Sequence, residues 1–250
     1  MEKTKFNRTY EILNEVFNAI THGIGTGLSI AGLVILLIKG AHLHSSLHIV
    51  SYAIYGSMMI LLFLTSTLFH SLIFTKAKKV FQVFDHSSIF LLIAGSYTPF
   101  CLLSIRGWLG WTLFVLIWLF AILGIIYKAL TLHKRERVSK VSTIIYIFMG
   151  WLCVVAAVPL YHSLGMTGVI LMVAGGLSYT IGAFFYSLNS IRYMHVVWHL
   201  FVMLGAGTSL FYSLLNKKAI DGSALIKAVP SIVFFIVYSP VPFFKGFSLR

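Results

Sequence analysis

Residues 108–127 read WLGWTLFVLIWLFAILGIIY, twenty positions without a charged side chain. A helix rises about 1.5 Å per residue and the hydrocarbon core of a bilayer is about 30 Å thick, so about 20 apolar residues make one crossing. The run shows no in–out alternation and is too long for a barrel strand, so it reads as a membrane-spanning helix. Working outward, six more apolar runs follow the same pattern, at roughly 20–38, 49–70, 84–104, 141–161, 167–188 and 194–215. Their links are short, which sets neighbouring helices antiparallel. The fold class expected is an all-α integral membrane protein, a seven-transmembrane helix bundle over residues 17–215. A segment at 1–16 precedes it and a tail at 216–250 follows.

Composition agrees. Hydrophobic residues make up 59% of the 250 and charged residues only 10%, where a soluble domain carries about 25%; the mean hydropathy is +0.94. The formal net charge of +13 does not point to nucleic acid, because the basic residues sit in short loops between apolar spans. That is a topology signal. Lys3, Lys5, Arg8, Lys76, Lys78, Lys79, Lys128, Lys134, Arg135, Arg137, Lys140 and Arg192 fall on one side, against Lys39, Arg106, Lys217 and Lys218 on the other. The positive-inside rule places the N-terminus in the cytoplasm of a multi-pass cell-membrane protein. The mixed-charge start is too long for a cleavable signal peptide.

The tail holds a further apolar stretch, 224–244, ALIKAVPSIVFFIVYSPVPFF, with Pro230, Pro240 and Pro242. Proline removes a backbone donor, so this stretch reads as a short eighth span, a re-entrant piece or a surface segment. Cys101 and Cys153 lie in apolar runs outside any CxxC and read as free thiols. Gly23 and Gly27 form a small-xxx-small pair suited to close helix packing. Trp108, Trp111 and Trp198 suit interfacial belts.

Of six acidic residues, Asp85 alone opens a span; Glu2, Glu11, Glu15, Glu136 and Asp221 read as terminal or loop positions. An ionisable residue at membrane depth is costly and marks a functional site. Topology brings others to its level. His70 closes the second span at its cytoplasmic end, and His195 and His199 open the seventh there; His22 lies at a similar depth in the first. His195 and His199 are four apart, on one helix face, as are Ser66 and His70. One histidine at a helix end is ordinarily a polar residue among headgroups. Three converging on one acid make a second explanation: three imidazoles and a water are the ligand set of a catalytic zinc site, with Asp85 placed to take the water's proton. His42, His44, His48, His133 and His162 read as surface residues.

The segments NAITHGIGTG (18–27), STLFHS (66–71), FDHSSIF (84–90), AGSYTPF (94–100) and HVVWH (195–199) together resemble the haemolysin III proteins, part of the larger progestin and adipoQ receptor family. The resemblance covers about residues 11–215 and leaves the tail without a counterpart. It implies seven helices, a cytoplasmic N-terminus, and a Zn2+ ion held by His70, His195 and His199 near the cytoplasmic face. It further implies that Asp85 holds a water on the zinc, with Ser66 beside it. For function it implies three alternatives: a ceramidase-like zinc hydrolase of membrane-lipid amides or esters, a pore-forming cytolysin or channel, and a receptor-like regulator of lipid homeostasis with structural zinc. Membrane lipids are the expected partners, and nucleic acid is not.

Overall fold

The computed structural model describes residues 8–131, 140–188 and 190–215. The basic run at 133–137 and the apolar tail stretch 224–244 lie outside the described residues. Seven helices among those described are long and apolar enough to cross a membrane. They are built from α1 (Arg8–His42), α2 (Ser46–Ser71), α3 (Lys78–Pro99), α4 (Gly107–Thr131), α5 (Lys140–Trp151), α6 (Ala157–Ser187) and α7 (Met194–Leu215).

The spans match the apolar runs, with one difference. α1 begins at Arg8, about three turns before its apolar run, and its 35 residues make a rod of about 52 Å. Its first turns therefore extend past a core of about 30 Å, where Glu11 and Glu15 can be helical without entering lipid. Both were expected in a terminal segment; both lie on α1.

α3 is the central helix, with 72% of its most apolar stretch buried, against 44% for α2, the next highest. It can be buried on nearly every side because many of its positions are small: Ser87, Ser88, Ala94 and Gly95 are all buried. Ser88, Ser96 and Thr98 return their hydroxyls to carbonyls of their own helix. Pro99 lacks the N–H that would continue the α pattern, and the chain widens there into a π-helical turn, Phe100–Ile105.

The fifth crossing is broken. α5 gives way at Trp151 to a 3-10 segment, Leu152–Ala156, and the crossing is completed by the first turns of α6. Gly165 ends it with φ +66°, a conformation that favours glycine, and the sixth crossing starts from there. The tighter 3-10 turn strands carbonyls that α-helix would pair. Tyr97 of α3 meets them: its hydroxyl lies 2.9 Å from Met149 O and 2.8 Å from Gly150 O, and accepts from Cys153 N at 2.7 Å.

Two glycines of α1 carry its packing. A Cβ at Gly25 would meet the Phe63 ring at 2.8 Å, and one at Gly32 would meet Leu210 at 2.8 Å. The pair expected from the sequence sits on a neighbouring face: Gly27 has nothing within 4 Å, and Gly23 only a Thr67 methyl at 3.7 Å. Trp108 and Trp111 are exposed as an interfacial belt requires, but Trp198 packs inward against Tyr186. Both cysteines are free.

At the far end from the histidines, Lys39 is 1% exposed and its ammonium donates to Ser213 O and Leu214 O, each at 2.8 Å. These are carbonyls in the last described turn of α7. A cation at a helix C-terminus also answers the helix dipole.

Candidate metal centre

The bundle brings the three expected histidines together. One ring nitrogen from each of His70, His195 and His199 lies within 4.8 Å of the others. Ring centroids are 5.0 Å apart for His70–His195, 5.1 Å for His70–His199 and 4.7 Å for His195–His199. His70 and His199 are buried, and His195 is half-buried. The placement follows from local structure. His70 is in the last turn of α2. His195 and His199 occupy the first two turns of α7, on one face.

The donor set suits a cation. The Nδ1 of His70 is bonded to the Glu15 carboxylate, and its Nε2 is buried with no hydrogen-bond partner in the protein. An imidazole with one nitrogen tied to a carboxylate and the other bare and buried is the arrangement of a metal-bound histidine. Two zinc–nitrogen bonds of about 2.1 Å span at most about 4.2 Å, so the three rings meet one ion with little movement.

His22 joins the cluster in a way its sequence position did not disclose. Its ring is stacked on that of His199, with centroids 3.5 Å apart and planes at 13°, while its edge contact is with Phe63 at 5.0 Å. Ser66 and Asp85, both expected at the site, line one cavity with His22, His195 and His199. Asp85 stands outside the group of mutually close ligand atoms. His86 also lines the cavity, its Nε2 3.9 Å from Asp85 Oδ2. Consecutive residues on a helix point about 100° apart, so Asp85 and His86 cannot both face one point squarely. A cavity that wraps this face of α3 accommodates both.

From this polar end the cavity continues between α3, α5, α6 and α7, past Ile93, Phe100 and Met172. It thus joins a cluster of imidazoles and a carboxylate to an apolar interior at membrane depth.

Two side chains escaped the sequence reading. Glu15 reaches both His70 and Lys78, the latter at 3.1 Å. Thr21 lies 3.3 Å from Nδ1 of His199. A faint signal existed: Glu15, Asn18, His22, Gly25 and Ser29 recur at the helical spacing of three and four, a polar stripe on an otherwise apolar helix. The surface histidines stayed outside: His42, His44 and His162 are exposed.

Comparison with known proteins places this chain in a family. The chain is 46% identical over 207 residues to Hemolysin-3 of Bacillus cereus, covering 83% of this chain and 93% of that protein. It is 44% identical over 206 residues to a Hemolysin-3 homolog of Bacillus subtilis (strain 168), covering 82% and 95%. A more distant relative is the human monocyte to macrophage differentiation factor, 32% identical over 164 residues, 63% of this chain and 66% of that one. The family described as Haemolysin-III related matches residues 10–210, all seven helices included, and the chain is a multi-pass membrane protein that belongs to it.

Proposed function

We propose that this protein is a zinc-dependent hydrolase acting on amides or esters of membrane lipids. The observation that carries the reading is the junction of the histidine cluster and Asp85 with an apolar cavity. His70, His195 and His199 would hold the ion, which when bound polarises a carbonyl and eases deprotonation of water. Asp85 would take a proton from the attacking water and return it to the departing amine or alcohol. Ser66 lines the same wall, placed to hydrogen-bond that water. Leu62, Ile93, Phe100 and Val202 would seat a hydrocarbon chain and exclude bulk water. Net, water adds across the acyl bond and releases a carboxylic acid with an amine or alcohol.

The test joins metal content to turnover. Detergent-purified protein is expected to carry about one zinc per chain, lost in His195→Ala, and to cleave a ceramide or another lipid amide or ester. A wild-type chain that is folded and zinc-loaded yet leaves all of these intact would refute the hydrolase reading.

The bacterial relatives carry the name Hemolysin-3, and a second reading is cytolysis, for which a pore would be one route. A pore needs a polar path across the bilayer. Here the buried histidines and Asp85 gather at one end, and the buried cation Lys39 at the other end is committed to α7 carbonyls. Conductance in planar bilayers that rises with protein load would favour the pore.

A further inference from the structure

α1 supplies none of the three histidines, yet two of them rest on it. The Glu15 carboxylate bonds Nδ1 of His70, and its other oxygen takes the Lys78 ammonium at 3.1 Å. Thr21 Oγ1 lies 3.3 Å from Nδ1 of His199. The direction of that second contact can be deduced. Thr21 Oγ1 is also 2.9 Å from Phe17 O and 2.9 Å from Asn18 O, and carbonyl oxygens only accept. A hydroxyl has one proton, and here a carbonyl of α1 takes it. Toward His199, Thr21 Oγ1 is then an acceptor, and the imidazole donates. An ionised carboxylate likewise only accepts, so His70 donates to Glu15.

A neutral imidazole carries its proton on one nitrogen and its lone pair on the other. With the proton on Nδ1 in both rings, both lone pairs are on Nε2. His70 Nε2 is the atom left buried and unbonded. Were either ring the opposite tautomer, its free nitrogen would offer a proton where a cation needs electrons.

We propose that α1 sets the tautomers of the metal centre. Glu15 and Thr21 are positioning residues that hold His70 and His199 as Nδ1–H imidazoles with Nε2 toward the ion. Glu15 adds negative charge behind His70, and Lys78 holds the carboxylate in place. The inference rests on the metal-centre reading above. Partners of this kind typically change metal affinity 10–100-fold when removed.

The experiment uses the full-length chain in detergent, with zinc affinity measured by chelator competition and cobalt substituted to read the ligand field by its visible absorption. Glu15→Ala is expected to weaken zinc binding about 10–100-fold and to shift the cobalt bands. Glu15→Gln, which keeps an acceptor and loses the charge, falls between Glu15→Ala and wild type. Thr21→Val, nearly the same shape without an acceptor, weakens binding, and Thr21→Ser restores it. The thermal midpoint of each metal-free variant is recorded alongside. Wild-type affinity and cobalt spectra in both Glu15→Ala and Thr21→Val would overturn the inference alone. So would lowered metal-free midpoints with unchanged affinity, the mark of a purely structural role. A wild-type chain that binds neither metal would overturn the metal-centre reading itself.

Discussion

The ring of His22 lies against the ring of His199, with centroids 3.5 Å apart and planes 13° from parallel. α1 and α7 are thus in face-to-face contact at the candidate centre, and the plane of one of its three rings is set by its neighbour. His22→Phe keeps a flat ring in this position and is expected to retain about one zinc per chain. His22→Ala removes the wall and should cost about 2 kcal/mol of stability, with lower zinc content. Unfolding in a denaturing detergent titration, paired with metal analysis, checks both.

Asp85 faces the cavity without joining the mutually close ligand atoms. Asp85→Asn should therefore keep zinc and fold while turnover drops about 10²–10⁴-fold, the range for a lost general base. Loss of zinc in this variant would make Asp85 a ligand. Single-turnover assays on lipid amides, with metal content in parallel, separate the two.

Gly25 and Gly27 give a paired test of packing. Gly25→Ala drives a methyl to 2.8 Å from the Phe63 ring and should destabilise by about 1–3 kcal/mol. Gly27→Ala meets nothing within 4 Å and should be neutral or slightly stabilising, since alanine favours helix over glycine. Equal effects in an unfolding titration would contradict this assignment of faces.

Lys39→Met fills a similar volume without donors. It leaves two last-turn carbonyls of α7 without their cation and should cost about 1–3 kcal/mol. Faster hydrogen exchange should appear first at the end of α7, while zinc content at the opposite end stays at the wild-type level.

The spans were legible because lipid imposes a single demand on composition, and each run meets it. The three histidines were legible because antiparallel succession alone assigns each helix end to a side, and the spacing of His195 and His199 fixes their shared face. What could not be read was the rotation of one helix against another. Glu15 and Thr21 became site residues only once α1 was turned toward α2 and α7. The same blindness put the packing glycines at Gly23 and Gly27, where the close approaches are at Gly25 and Gly32. Trp198 was assigned to the interface because its depth suits a belt, and it packs inward because its helix face looks at Tyr186. The start of α1 is hidden for a related reason: a residue such as Glu15, which contacts His70, looks in one dimension like part of a solvated segment.

The lysine that ties the end of α7 has a counterpart about five turns earlier on α1, where Thr21 and His22 meet His199. α1 and α7, first and last in the described chain, are buckled together at both extremities, and α2 is packed along α1. Little latitude is left on that flank. α5, interrupted by a 3-10 turn and tied to its neighbours by the hydroxyls of Tyr97 and Tyr146 and the indole of Trp151, sits on the opposite flank. The cavity thus has one wall, through Gly150, Trp151 and Cys153, whose helix is discontinuous, while the imidazoles lie on the side where first and last helix are joined.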